Sequence, residues 1–459
     1  MRLCFLILLS SLLLRAAEPA DVLITARQVV TMDADRRVIA NGAVAIHDGK
    51  IAAVGPRAEV ETRYRPRQRV DRPDALLIPG LVNTHTHAPM SLLRGIADDL
   101  RLQDWLEHYI FPAEAKNVSE EFVRVGTRLA VLEMMLGGTT TYTDMYYFED
   151  AIAEETAKAG MRGVLGQTII GFPAPDYKTP AEALAGTRRF LERFRNHPLI
   201  TPAVAPHAIY TNSLETLQAA ARLANEYSVP MLIHVSETRK ENQDAAAQHG
   251  ASPAAYLDKI GAVARRSVYA HAVWTDATDH ALLAARRVGV AHCPGSNMKL
   301  ASGAAPVAAM LRAGIAVGLG SDGPAGSNND FSMFEEMDLA AKLAKVTSLD
   351  PEALPAPTVF AMATITGARA LGMEKEIGSI EPGKRADLVT VSLAAPHAWP
   401  SHDVYSMLVY TLKTSDVLDV MIDGRWTVRD RRPLTLDAAA IRRSVAEWRA
   451  KVEASMPKR

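Results

Sequence analysis

A chain of 459 residues, 48% of them hydrophobic, carries enough apolar side chain to bury one large domain and a smaller companion. Its 51 basic and 52 acidic residues leave a net charge of -1, so no electrostatic footprint for nucleic acid or another polyanion is present. Cys4 and Cys293 are the only cysteines; no disulfide framework can be built from them, and Cys293 reads as a small buried residue rather than a nucleophile.

Met1-Arg2 followed by the apolar residues 3–14 has the charge and length of a secretory signal and is too short for a membrane span. Residues 1–17 are therefore expected to direct export, to the periplasm or the medium. Arg15 before Ala16-Ala17 makes a poor cleavage site, and an uncleaved anchor or a misassigned start on a cytoplasmic protein stand as alternatives.

Residues 21–72 lack a strand-helix rhythm and read as short strands with tight turns, Asp48-Gly49 being a strong hairpin signal. An apolar run, Leu76-Leu77-Ile78-Pro79-Gly80-Leu81-Val82, then reads as a buried strand that runs out at His85-Thr86-His87. Alternation puts both imidazoles on one side, where they can share a metal ion; two ordinary loop histidines are the alternative.

Seven more apolar or β-branched runs follow, at 139–145, 163–169, 200–205, 231–235, 267–270, 288–292 and 315–320, each with a helix-like stretch behind it. Eight such alternations predict an α/β fold, a (β/α)8 TIM-like barrel over residues 79–377. His207, His234, Glu237, His271 and Asp322 stand at the ends of its strands, the face on which barrel enzymes keep their sites. The tail returns to β chemistry at 386–391 and 420–428, with a second hairpin. Neither β segment can form a core alone, so 21–78 and 378–432 are expected to pair into one small β-sandwich, with a closing helix at 433–459.

The motifs Pro79-Gly80-Leu81-Val82-Asn83-Thr84-His85-Thr86-His87, His234-Val235-Ser236-Glu237, His271 and Gly320-Ser321-Asp322-Gly323 resemble the metal-dependent amidohydrolase superfamily. More narrowly, from Asp21 to about Arg432, the chain resembles the 5-methylthioadenosine/S-adenosylhomocysteine deaminase family. The resemblance implies a barrel with a β-sandwich and a metal held by His85, His87, His234 and Asp322. One divalent ion is expected, zinc first, with iron(II) or manganese as alternatives. Pro206-His207 stands where two-metal relatives carry a bridging lysine.

The implied reaction is attack of a metal-bound hydroxide on the purine C6 of an adenine nucleoside, with loss of ammonia. Asp322 would take the proton of the water, and Glu237 would protonate the ring nitrogen; a surface ion pair with Arg239 or Lys240 is the alternative for Glu237. His271 would hydrogen-bond the attacking water or the developing oxygen. Trp105 resembles the aromatic wall of the nucleoside pocket, Glu114 the acceptor of the ribose hydroxyls, and His207 a nucleoside contact.

Gln167 stands where relatives that use S-adenosylhomocysteine place a carboxylate-gripping arginine. With the apolar Ile170 and Phe172, this favours 5-methylthioadenosine or adenosine, while Arg162 reads as structural. Partners beyond that small molecule are at most a second copy of the chain, as relatives are often homo-oligomers. Another aminohydrolase of the superfamily, acting on guanine, a pterin or an aminotriazine, is the alternative reading; a non-catalytic barrel scaffold is a third.

Overall fold

The computed structural model describes residues 17–455, so the expected export segment lies, apart from Ala17, outside the described residues. Among the described residues no helix is long and apolar enough to cross a membrane.

Four strands open the fold: β1 (Glu18–Val30), β2 (Val38–His47), β3 (Lys50–Pro56) and β4 (Tyr64–Pro79). Eight parallel strands close the barrel: β5 (Leu81–Thr86), β6 (Thr139–Tyr146), β7 (Arg162–Ile169), β8 (Ile200–Pro206), β9 (Met231–Val235), β10 (Ser267–His271), β11 (Gly289–His292) and β12 (Val317–Leu319). The tail adds β13 (Leu388–Ser392), β14 (Val417–Ile422), β15 (Arg425–Arg429) and β16 (Arg432–Pro433). It joins the opening strands in one continuous eight-stranded sheet of order β16-β15-β14-β13-β4-β1-β2-β3. β13 is the seam, antiparallel to β4 with Leu388 opposite Pro79.

Asp48 and Gly49 both have positive φ, 48° and 73°, as a type I′ hairpin requires, and Asp423-Gly424 repeats the turn with 52° and 75°. The two hairpin tips meet glycine to glycine: a Cβ on Gly424 would lie 2.5 Å from the Gly49 Cα. The chain ends are thus fitted to each other by residues that have no side chain to interpose.

The apolar run 76–82 is not one strand. Leu76, Leu77, Ile78 and Pro79 belong to the companion sheet, and the barrel begins at Leu81. Gly80 is the crossing point, because its N–H donates to the Asp387 carbonyl (2.9 Å) while a Cβ there would sit 2.0 Å from Thr140 Oγ1.

Alternation fills the barrel with Val82, Met145, Val164, Ala203, Ala205, Leu232, Val268 and Ala291, and sends the other faces to the helices. The closing helix, Ala438–Ser455, packs Trp448 edge-on to Phe122. Arg162 at the foot of β7 ties barrel to sheet through a bidentate pair with Asp387, Nε to Oδ2 at 3.0 Å and Nη2 to Oδ1 at 3.1 Å. Both side chains are buried. Arg162→Ala would leave Asp387 buried without its cation, and is expected to cost about 3–5 kcal/mol. Denaturant midpoints would measure it, and a loss under about 1 kcal/mol would contradict a role in joining the domains.

Candidate active site

The site is assembled where the barrel strands end. Asp144 accepts from Thr86 Oγ1 and from the Ala88 N–H, both at 2.6 Å, and so holds the segment on either side of His87. His87 donates its Nδ1–H to the Met145 carbonyl (2.7 Å), and His234 donates its own to the His207 carbonyl (2.8 Å). Each bond fixes the tautomer and leaves the Nε2 lone pair free.

Those two Nε2 atoms lie 3.3 Å apart. Asp322 Oδ1 is 3.3 Å from Nε2 of His85 and 3.3 Å from Nε2 of His87. Nε2 of His85 is buried without a hydrogen-bond partner. Two unprotonated nitrogens facing each other beside a third, orphaned one repel unless a cation lies between them. The spacing also suits tetrahedral ligands at 2.0–2.1 Å from an ion, whose edges are about 3.3 Å. His85-His87-His234 and His85-His271-Asp322 are both clusters of metal-binding geometry, and they share His85, so they define one centre. The donor set fits a single divalent ion.

Electrostatics agree. Burial holds the His85 imidazole down at about 4 and that of His234 well below its ordinary value, so both are neutral and able to offer a lone pair to a metal. Burial would raise the Asp322 carboxyl, but the imidazoles gathered around it, His85 first, keep it well below the carboxylate range. Asp322 (φ 62°), His271 (φ 72°) and Ser236 (φ 56°) all adopt left-handed backbone at strand ends, a cost of about 1–3 kcal/mol each that clusters at functional sites.

Glu237 follows β9 in a loop and is 5% exposed, which removes it from the surface. Its two proposed surface partners are engaged elsewhere, Arg239 over the Trp274 ring and Lys240 with Asp244. Glu237 Oε2 instead lies 3.8 Å from His271 Nε2, and burial raises its pKa. Burial would lower His271, yet the charges of Glu237 and Asp322 raise it, and Asn297 Oδ1 sits 3.0 Å from its Nδ1.

One cavity is lined by His87, Trp105, Glu114, His207, His234, Glu237, His271 and Asp322, with His85 buried behind. Trp105 opens a π-helical turn, Trp105–Ile110, that covers the cavity, and its indole N–H donates to the Ala325 carbonyl (2.9 Å). Glu114 accepts from the Tyr146 hydroxyl at 2.6 Å, and burial pushes its carboxyl up to about 7. Burial lowers the His207 imidazole to about 3.

Gln167 does not reach this cavity. On β7 the interior positions are Val164 and Thr168, and Gln167 has the opposite parity. Its amide donates to Asp176 Oδ2 (2.8 Å), and its oxygen accepts from the Glu149 N–H (3.3 Å). Gln167 therefore says nothing about the substrate tail, and the preference it was expected to give against S-adenosylhomocysteine has no basis in this cavity. The apolar part of the wall comes instead from Leu102, Leu106, Ile110 and Phe111, with Phe172 packed edge-on to Phe111.

Tyr146, Ser296 and Asn297 were not singled out from sequence. Ser296 donates to Asp322 Oδ2 (2.7 Å), and Asn297 partners His271. All three stand at or just beyond the ends of β6 and β11, and that position was the available signal.

Residues 76–427 match the Amidohydrolase family, and residues 42–65 match an imidazolonepropionase-like composite domain of bacteria. The chain belongs to the amidohydrolase family, and its barrel and histidine-aspartate centre agree with that match. It is 44% identical to the 5-methylthioadenosine/S-adenosylhomocysteine deaminase of Thermodesulfovibrio yellowstonii, covering 94% of this chain and 99% of the relative. With deaminase 1 of that name from Syntrophus aciditrophicus it shares 45% identity over 96% and 99%. Within the amidohydrolases it is therefore a member of the 5-methylthioadenosine/S-adenosylhomocysteine deaminase family. The zinc-bound crystal structure of an adenosine deaminase from Xanthomonas campestris superimposes with a TM-score of 0.94 at 42% identity, covering 96% of this chain and all of that one.

Proposed function

We propose that this protein is a hydrolytic deaminase of adenine nucleosides, taking 5-methylthioadenosine, adenosine or S-adenosylhomocysteine to the inosine analogue and ammonia. The carrying observation is the pairing of a buried carboxyl, Glu237, with a histidine-aspartate metal centre in one cavity. Zinc is the proposed ion, supported by the imidazole-rich donor set and by the zinc in the Xanthomonas campestris relative. Bound there, it supplies Lewis acidity and lowers the pKa of water from about 15.7 towards about 7.

The protein's own groups handle the protons. Asp322, with Oδ2 held by Ser296, accepts the proton released as water adds to C6. Glu237, its pKa raised by burial, gives its proton to the ring nitrogen N1; the amino group takes the proton that Asp322 received and leaves as ammonia, and the C6 hydroxyl proton returns to Glu237 as the carbonyl forms. His271, tethered at Nδ1 by Asn297, presents Nε2 to the oxygen that becomes the C6 carbonyl. Trp105 and its helical turn keep bulk water from the ring, while Glu114 and His207 receive the ribose.

Ammonia release from adenine, adenosine, 5-methylthioadenosine, S-adenosylhomocysteine, guanine and an aminotriazine tests this reading. Turnover confined to guanine or the triazine would overturn it. Glu114 must be ionised to accept two hydroxyls, and its carboxyl is protonated below about 7. Therefore kcat/KM for nucleosides should fall as pH drops through about 7, and Glu114→Gln should lower the plateau and flatten that limb. Glu114→Ala should narrow the gap between nucleosides and free adenine. An unchanged acid limb in Glu114→Gln would assign the titration to another group.

Export remains proposed on residues 1–17 alone. Cell fractionation with N-terminal sequencing of the mature chain tests it.

A further inference from the structure

We infer that Glu241 is the positioning residue for Glu237. This rests on the reading of Glu237 as the proton carrier. Glu241 is buried, does not line the catalytic cavity, and among the described residues pairs with neither a lysine nor an arginine. Its carboxylate is used on the backbone: one oxygen accepts the Ser236 N–H at 2.9 Å and the other the Glu237 N–H at 2.7 Å.

Those two N–H groups belong to the turn that aims Glu237. Ser236 is left-handed at φ 56°, so the chain turns out of the strand between the ligand His234 and Glu237, and its amides leave the β9 ladder. Buried amides without acceptors cost free energy, and a strained residue persists only where its surroundings over-determine it. Glu241 meets both needs with two oxygens, which neither an amide nor a hydroxyl could do without losing a bond.

Glu241 is itself held, because its N–H donates to Thr238 Oγ1 (3.1 Å), the N-cap of the helix Arg239–His249. The segment 236–241 is thus a closed clamp. Its first turn carries Glu237, and its buried end carries the acceptor that sets the Glu237 backbone.

The test is a double-mutant cycle on the metal-loaded, full chain with adenosine as substrate. Glu241→Gln keeps the shape but turns one acceptor into a donor facing an N–H. It is expected to lower kcat about tenfold or more, since misplacement of a reacting group by about 1 Å can cost 10²-fold. Metal content and KM should stay unchanged. Because Glu241 acts only through Glu237, the Glu237→Gln/Glu241→Gln variant should be no slower than Glu237→Gln alone. Additive losses, loss of metal, or a rise in KM equal to the fall in kcat would overturn the inference and leave Glu241 a general support of the fold.

If Glu241→Gln does not fold, Thr238→Val, which removes only the cap of the helix carrying Glu241, should show a smaller fall in kcat that vanishes in the Glu237→Gln background; persistence there overturns the inference. Near-normal turnover of Glu237→Gln itself would remove the proton-carrier reading and the inference with it. Loss in Glu237→Gln with none in Glu241→Gln would remove the inference alone.

Discussion

His234→Ala is expected to yield protein that neither holds metal nor deaminates. His234 Nε2 is one edge of the cluster, 3.3 Å from His87 Nε2, and its Nδ1–H is spent on the His207 carbonyl, so the imidazole is fixed as a ligand with no other partner for its lone pair. Removing it leaves two imidazoles and the Asp322 carboxylate around a hole, and no neighbouring side chain on β9 can replace it, since Val235 has the opposite parity. Metal analysis and ammonia release on the same preparation measure both effects. Two equivalents of metal per chain in active wild-type protein would overturn the single-ion assignment. Activity in a metal-free His234→Ala variant would overturn the role of the centre altogether.

Glu237→Gln is expected to keep the metal and lose about 10²-fold or more in kcat, the usual scale of general acid-base catalysis. Glu237 belongs to neither ligand cluster, so its neutral isostere leaves the metal centre intact. The amide has no carboxyl proton to carry to N1. KM should change little, because shape and burial are preserved, and the raised pKa that burial imposes on Glu237 disappears from the pH profile with the group itself. Near-normal kcat in this variant would return Glu237 to a structural role and pass proton transfer to His271 or Asp322.

The closed order of strands explains why so much of the centre was legible. In a parallel barrel the C-terminal strand ends face one opening, so His85, His87, His234, His271 and Asp322, read at the ends of four runs, are forced within reach of one another. Chain order and residue type place them at one mouth, and the resemblance to the family says which of them are expected to hold the metal. The pairing of the two β segments was legible for a related reason, since neither segment has enough apolar surface to fold alone.

Elsewhere the tertiary structure decided. Barrel strands are buried on both faces, so β7 reads as one unbroken buried run and its inward face cannot be told from its outward one; from sequence Gln167 fits the pocket, whereas in the fold it has the outward parity. The same lack of contrast hid the break at Gly80, where seven apolar residues serve two sheets. The sequence by itself determined the barrel, its companion β domain and the residue types of the metal centre, because the first two follow from periodicity and chain order and the third from the motifs that resemble the family. Only the tertiary structure decided which imidazole nitrogens are free, that Tyr146 holds Glu114, that Ser296 and Asn297 brace Asp322 and His271, and that Glu241 braces the turn of Glu237. Each of those is a hydrogen bond whose partner lies on another strand or across a turn, and a polar side chain in a loop does not reveal its acceptor until the backbone that offers it has been placed.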